Sequence, residues 1–72
     1  MSWRTVIISG QAKLDYKMGV MVVRGEETKR ILLDEIAILV IENPAVSLTG
    51  CLIEALIDKK IKVIFCDSKR SP

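Results

Sequence analysis

Two aliphatic runs in the second half of the chain constrain the fold more than any other feature. Residues 36–41 (IAILVI) are apolar on both faces, which is typical of a strand covered on both sides. Residues 62–66 (KVIFC) read as a second buried strand, and between them Ser47 or Thr49 can cap a helix that runs to about Lys60. Strand, helix and strand in this order predict a βαβ crossover with two parallel strands and a right-handed connection.

The first half of the chain has the short alternating segments and regularly spaced turns of a β meander. Residues 13–17 (KLDYK) place Leu14 and Tyr16 on one face and charged side chains on the other, which predicts a buried Tyr16. Met18-Gly19 and the polar segment RGEET are turn signals between runs rich in β-branched residues. Four strands are therefore predicted, at residues 5–9, 13–17, 20–23 and 29–33.

These patterns together predict the α+β class: a mostly antiparallel β domain, meander-like or sandwich-like, with one helix in a C-terminal βαβ crossover. The 72 residues of the chain allow one domain at most. Its last residues are polar and end in proline, which is the composition of a linker. We therefore expect residues 1–67 to form the β domain and residues 68–72 to begin a linker.

The chain carries more aliphatic side chains than one small core requires. Hydrophobic residues are 50% of the sequence, although aromatic residues are only 4%. Along the predicted helix, Ile53 and Ile57 widen the apolar stripe beyond that of a simple amphipathic helix. This pattern has two interpretations. Ile53 and Ile57 pack against a second copy or a further domain, or the chain has an efficient core with scattered surface aliphatics.

The residue inventory excludes most self-contained catalysis. The sequence has no histidine, so histidine-based acid–base chemistry and catalytic triads are excluded within this chain. Cys51 and Cys66 lack the C-x-x-C spacing of a zinc knuckle, and their aliphatic neighbours predict buried thiols. Glu54 and Asp58 are four residues apart on the helix, a pattern more typical of a solvated helix face than of a metal site. We predict no catalytic residue and no metal ligand set in this chain.

The expected location is the cytoplasm. No apolar run approaches the roughly 18 residues that a membrane-spanning helix needs. Met1 leads into a polar segment without the apolar stretch of a signal peptide, and two cysteines make no disulfide framework. These features predict a protein of the reducing cytosol without a membrane partner.

Basic residues fall into small groups that match phosphate recognition. Lys13 and Lys17 share one face of a predicted strand, and Arg24 lies nearby across a turn. Lys29 and Arg30 start another predicted strand, and Lys69 and Arg70 lie in the terminal segment. Such clusters contact phosphates and contribute position and salt dependence rather than sequence choice. The alternative is a solvated polar face on a half-exposed meander, and the net charge of +2 does not decide between the two.

Read end to end, the sequence resembles the N-terminal domain of the CRISPR adaptation integrases, the Cas-one family. The resemblance is carried by the ordered set in residues 33–67: Glu35-Ile36 leading into an aliphatic strand, a helix capped by Ser47, and a strand of the Val-x-Phe-x-Asp type at residues 63–67. The segments WRTVIIS, KLDYK and IFCDSKRSP are further similar to the type II branch. The resemblance covers essentially the whole chain.

This resemblance implies a function for the domain and places the chemistry elsewhere. Family members are longer metal-dependent DNA endonucleases and integrases that act in spacer acquisition. A second, helical domain carries their Glu, His and acidic ligands for Mg²⁺ or Mn²⁺. The resemblance therefore implies that the present domain is inactive alone. It also implies that the domain forms a homodimer, helps present the complex to a small ferredoxin-like partner protein, and supports double-stranded DNA with splayed ends.

One departure from the family pattern concerns the turn after the first strand. Relatives carry an aromatic or histidine ring there, against the terminal base pair, whereas this chain has Ser9-Gly10-Gln11. Gln11 is therefore the candidate for contacting that pair by shape and hydrogen bonding. The alternative function is a free-standing dimeric β module, such as a small DNA-binding regulator, for which the resemblance would be incidental.

Overall fold

The computed structural model describes residues 3–66 of the chain. In this range seven strands and one α-helix follow one another, with a 3-10 turn (Leu33–Glu35) before the fifth strand. Their bounds are β1 (Arg4–Ile8), β2 (Lys13–Lys17), β3 (Val20–Arg24), β4 (Thr28–Leu32), β5 (Ile36–Ile41), β6 (Ser47–Leu48), α1 (Gly50–Asp58) and β7 (Lys62–Phe65). The predicted α+β class is confirmed. The predicted linker and the candidates Lys69 and Arg70 lie outside the described residues.

Three parallel strands form one sheet in the order β1-β5-β7. Strands β5 and β7 are joined through α1 and pair in parallel, as the predicted βαβ crossover requires. Strand β1 also pairs in parallel with β5, from Thr5 opposite Ile38 to Ile8 opposite Ile41. That pairing was not predicted, because it joins strands that are about thirty residues apart in sequence.

The second sheet has the order β4-β3-β2-β6. Strands β2, β3 and β4 are antiparallel neighbours, which confirms the predicted meander for three of its four strands, whereas β1 belongs to the other sheet. The short strand β6 adds to the free edge of β2 in parallel, with Ser47 opposite Lys13. Strand β4 begins at Thr28 and ends at Leu32, one residue earlier at each end than predicted, because Leu33 starts the 3-10 turn.

Helix α1 begins at its cap and ends at a left-handed residue. The Thr49 hydroxyl accepts a hydrogen bond from the Leu52 backbone N–H at 3.2 Å, so Thr49 and not Ser47 is the cap. The helix ends at Asp58 rather than Lys60. Lys60 has φ 58°, and the Ile61 N–H donates to the Leu56 carbonyl at 3.0 Å. This hydrogen bond and the positive φ of Lys60 are those of a Schellman motif, with lysine at the position that usually holds glycine.

One core lies between the two sheets and is closed by α1. Leu14 of β2, Met21 of β3, Leu39 of β5 and Leu52 of α1 are fully buried and belong to one apolar cluster. Burial of a leucine side chain of this size contributes about 1.5–3 kcal/mol. Tyr16 packs on the same cluster but is only half-buried, so the prediction of a buried ring is only partly right.

The antiparallel sheet and α1 both pack on the same face of the parallel sheet. The chain moves across this sheet in one direction, from β1 to β5 to β7. Right-handed crossovers therefore place both connections, the antiparallel sheet after β1 and α1 after β5, on the same side. On the opposite face Ile7 is 56% exposed and Ile64 39% exposed, while Ile38 and Val40 are half-buried. The expectation that residues 36–41 are covered on both sides is therefore wrong within the described part of the chain.

The thiols also differ from expectation. Cys51 is exposed on the first turn of α1 and Cys66 is half-buried. The Cys51 prediction is wrong because residue 51 lies on a flank of the helix, about 100° around the axis from Leu52. Of the helices in residues 3–66, none is long and apolar enough to cross a membrane.

Candidate nucleic-acid interface

The outer face of the antiparallel sheet collects basic side chains from three strands. Leu14 is buried in the core, so its strand neighbours Lys13, Asp15 and Lys17 point the other way. Residues directly opposite one another share a face, and the register adds two arginines to this set: Lys13 is opposite Arg24, and Val22 lies between Asp15 and Arg30. We name this surface the cationic face: Lys13, Lys17, Arg24 and Arg30 with the single carboxylate Asp15.

The side chains of this face are accessible, and its centre is apolar. The four basic residues are all exposed, whereas Val22 is 3% exposed in the middle of the central strand. Val22 does not belong to the main core. Val22 lies between Asp15 and Arg30, and a long side chain such as that of Arg30 can cover apolar surface with its methylene groups while its charge stays in water. The result is a face with a covered apolar centre and charged residues around it.

Asp15 is held mainly by the backbone and by the helix cap. Its Oδ1 accepts from the Tyr16 backbone N–H at 2.8 Å and lies 3.4 Å from the Thr49 hydroxyl, which can donate to it. Its Oδ2 is 4.0 Å from an Nη of Arg24, at the limit of an ion pair, and both side chains are well exposed. Such a pair contributes about 0–1 kcal/mol. Asp15 therefore neutralises Arg24 only weakly, and the guanidinium is accessible to a phosphate.

A cleft continues from one corner of the cationic face. This open cleft of about 1080 Å³ runs between β1 and the β3–β4 turn, and Gln11, Lys13 and Arg24 line it. The backbone of Gly25 lies close to Gln11, since a Cβ atom at position 25 would be 3.4 Å from the Gln11 carbonyl oxygen. The remaining charged residues of the lining are Arg4, Lys29, Glu26 and Glu27.

The structure thus brings together three of the predicted DNA-contact residues and separates a fourth. Gln11, Lys13 and Arg24 all line the cleft. Lys17 lies on the same face as Lys13 but four residues along β2, which is roughly 13 Å away. Arg30, which the sequence groups with Lys29, joins this face without Lys29, because successive residues of β4 point to opposite sides of the sheet. The place of Arg30 on this face could be predicted from the alternation of side chains along β4 and from the length of the β3–β4 turn, because these two features set the strand register.

The dimer candidates lie elsewhere, on one flank of α1. Ile53 is 46% exposed and Ile57 is 72% exposed. The opposite flank carries Cys51, which together with Tyr16 lines a shallow depression. Ile53 and Ile57 share no surface with the cationic face.

An ion pair joins the 3-10 turn to the end of the helix. The Lys59 ammonium donates a hydrogen bond to a carboxylate oxygen of Asp34. This hydrogen bond, together with the charge of Lys59, lowers the pKa of Asp34 below its ordinary value of 3.8. The same two effects, with Asp34 as the partner, raise the pKa of Lys59 above 10.5.

Within residues 3–66, no group of three His, Cys, Asp or Glu side chains is arranged to hold a metal ion. The divalent metal that the family resemblance implies for the longer family members stays a prediction.

Comparison with known proteins supports the fold. No family model matches the chain. Among solved structures, a CAS1 protein from Thermotoga maritima is similar over 96% of this chain, with a TM-score of 0.81 and 18% sequence identity. The chain spans 22% of the length of that protein. At this identity the likeness shows a shared fold, and CAS1 is the Cas-one family that the sequence resembles.

Proposed function

We propose that this chain is a DNA-supporting and dimerising domain of a CRISPR adaptation integrase of the Cas-one family, type II branch. In this proposal the domain binds double-stranded DNA through the cationic face and catalyses no reaction by itself. The fold it shares with a CAS1 protein supports the family. The observation that carries DNA binding is the convergence of Lys13, Arg24 and Arg30 on one outer sheet face.

Phosphate recognition is the chemistry that suits this face. Four exposed cations and one carboxylate leave an excess of positive charge on a surface formed by three strands. Lys13 and Arg24 are directly opposite one another and close enough to contact neighbouring phosphates. Arg24 can bind a phosphate through two parallel N–H donors, whereas Lys13 acts as a point charge. Contacts of this kind position a duplex and do not select its sequence.

The cleft extends the same interaction toward one end of the bound DNA. Gln11 lines it together with Lys13 and Arg24. Its side-chain amide offers both donors and an acceptor, so it suits the edge of a base at a duplex end. In the proposed complex, DNA with splayed ends lies across the cationic face and ends near Gln11.

Homodimerisation is the second part of the proposal. Ile53 and Ile57 form an exposed aliphatic strip on α1. Aliphatic side chains on a helix flank gain free energy when a second copy removes them from water, by about 25 cal/mol per Å². Sedimentation equilibrium of wild type against Ile57→Asn tests this, and we expect the wild type to dimerise and the variant to shift toward monomer. Cys51→Ser, on the opposite flank of the helix, is the matched control.

The proposed assembly also includes a small ferredoxin-like partner protein, and the full-length protein would use Mg²⁺ or Mn²⁺. Both are what the family resemblance implies. We expect that the present chain alone does not cleave DNA. Incubation with DNA and either metal ion yields no cleavage, and reproducible metal-dependent cutting by the purified chain would contradict the proposal.

DNA binding is tested by fluorescence anisotropy on a short labelled duplex. Lys13→Ala is compared with Lys62→Ala, since both residues are exposed strand lysines and both changes remove one positive charge. Lys62 lies on the parallel sheet, away from the cationic face. We expect Lys13→Ala to weaken binding several-fold and Lys62→Ala to leave it unchanged. Equal losses would show that net charge, and not this face, attracts the DNA.

The same assay separates the proposal from a sequence-specific regulator. A supporting domain of this kind binds duplexes of different sequence with similar affinity, because its contacts are to phosphates. A regulator would bind one sequence far more tightly and keep that complex in excess competitor DNA. Strong sequence preference would therefore favour the alternative function.

A further inference from the structure

The hairpin between β2 and β3 ends in a residue whose backbone and side chain are both unusual for that position. Met18 and Gly19 form a two-residue turn between Lys17 and Val20, which are paired. Both residues of the turn have positive φ, 50° for Met18 and 81° for Gly19. Turns of this kind favour Asn-Gly, because a residue with a Cβ and an unbranched apolar chain is strained at positive φ.

Packing of the Met18 side chain does not offset this backbone strain. It is 90% exposed, the highest exposure among the large hydrophobic residues in the described part of the chain. A strained residue that makes no compensating contact at a turn tip is a reason to look for an external function.

The turn is also held in a fixed position. The Leu33 N–H donates to the Gly19 carbonyl at 3.1 Å, and Leu33 itself is 1% exposed. The tip is therefore braced against the core by the 3-10 turn. Met18 therefore lies on a turn that is tied to the core by this hydrogen bond and to the sheet by the paired strands on either side.

The surroundings of Met18 indicate what it meets. Lys17 precedes it on the cationic face, and Leu32 lies at the same end of that face, 52% exposed. An apolar tip next to cations is complementary to DNA, whose charged phosphates flank apolar base stacks. Methionine is one of the side chains that proteins insert between base pairs, while nearby basic residues hold the backbone.

We propose that Met18 inserts between adjacent base pairs inside a duplex that lies across the cationic face. This inference rests on the proposed DNA binding and adds a specific contact to it. Insertion costs the unstacking of one step, and pyrimidine–purine steps unstack most easily. The domain would thereby prefer flexible steps at the hairpin tip, although it makes no base-specific hydrogen bond there.

The test uses duplexes with the fluorescent base 2-aminopurine, which brightens when it is unstacked. One duplex carries it at an internal TA step and another at the terminal pair. Wild type is compared at saturating concentration with Met18→Asn and Met18→Leu. We expect the wild type and Met18→Leu to raise the internal signal several-fold. Met18→Asn should abolish that rise while its affinity for the duplex changes less than that of Lys13→Ala.

Three results would overturn the inference. The first is a bound Met18→Asn variant with the same internal signal as wild type, and the second is a wild-type signal that rises only at the terminal pair. The third is a lower melting temperature for Met18→Asn, since it would show that Met18 stabilises the hairpin. If the wild-type chain binds no duplex at all, the proposed function fails together with this inference. If it binds without unstacking, only the inference fails.

Discussion

Raising the salt concentration should weaken DNA binding by this chain along a slope set by the cationic face. Each phosphate contact by Lys or Arg releases condensed counterions, so log K falls against log salt with a slope of about −0.9 per contact. Lys13, Lys17, Arg24 and Arg30 provide four contacts and a slope of about −3.6. A fourfold rise in salt then weakens binding about 150-fold.

The ion pair between Asp15 and Arg24 sets the lower bound on the number of phosphate contacts, and therefore on the steepness of the salt slope. If Asp15 fully neutralised Arg24, three contacts would remain, with a slope of about −2.7 and a loss of about 40-fold over the same range. At 4.0 Å and with both side chains well exposed, the pair is too weak for that. We therefore expect a slope nearer to four contacts than to three.

Anisotropy titrations at several salt concentrations measure this slope directly. Lys13→Ala and Arg30→Ala should each make it shallower by about 0.9, whereas Lys62→Ala should leave it unchanged. Asp15→Asn should keep the slope and raise the affinity slightly. A wild-type slope shallower than about −1, or an unchanged slope in Lys13→Ala, would refute the assignment of phosphate contacts to this face.

Three further predictions concern the fold. Leu39→Ala, which empties a fully buried site in the central strand of the parallel sheet, should cost about 2–5 kcal/mol in urea unfolding, and a loss below about 0.5 kcal/mol would contradict the assigned core. Lys60→Gly should raise the stability by up to about 1 kcal/mol because it relieves the positive φ, and a lower melting temperature would count against the Schellman motif. The stability lost in Asp34→Asn should be constant at neutral pH. The pKa of Asp34 is lowered, so that loss should vanish as the pH falls below 3.8. The pKa of Lys59 is raised, so the loss should also vanish as the pH rises above 10.5. A loss that persists in acid would assign the effect to something other than this ion pair.

Local patterns predicted the elements of this fold well, because each depends on neighbours in sequence. The alternation in residues 13–17 and the turn at Met18-Gly19 specify a hairpin, and the meander follows. The βαβ crossover likewise comes from chain order and the right-handed rule. Strand β1 was different. Its parallel pairing with β5 depends on two apolar strands meeting across the whole meander, and no residue in either strand encodes that partner.

The residues of the candidate site also differ in whether neighbours in sequence determine their positions. The shared face of Lys13 and Lys17 follows from strand alternation alone, and Arg24 follows from a two-residue turn. Arg30 requires the register of a third strand. The cleft at Gln11 requires the packing of two sheets, which brings the turn at Gly25 to the turn after β1. Prediction from sequence became incomplete where strands that are distant in the chain come together.

The proposed surfaces for DNA and for self-association should act independently, because the fold separates them. The cationic face is the outer side of the antiparallel sheet, whereas Ile57 lies on a flank of α1 on the core side of that sheet. Lys13→Ala should therefore leave the dimer dissociation constant in sedimentation equilibrium unchanged. Ile57→Asn carries no charge change, so it should leave the salt slope per chain unchanged. Coupling in either direction would mean that the two surfaces share residues, for example through a dimer that assembles across the cationic face.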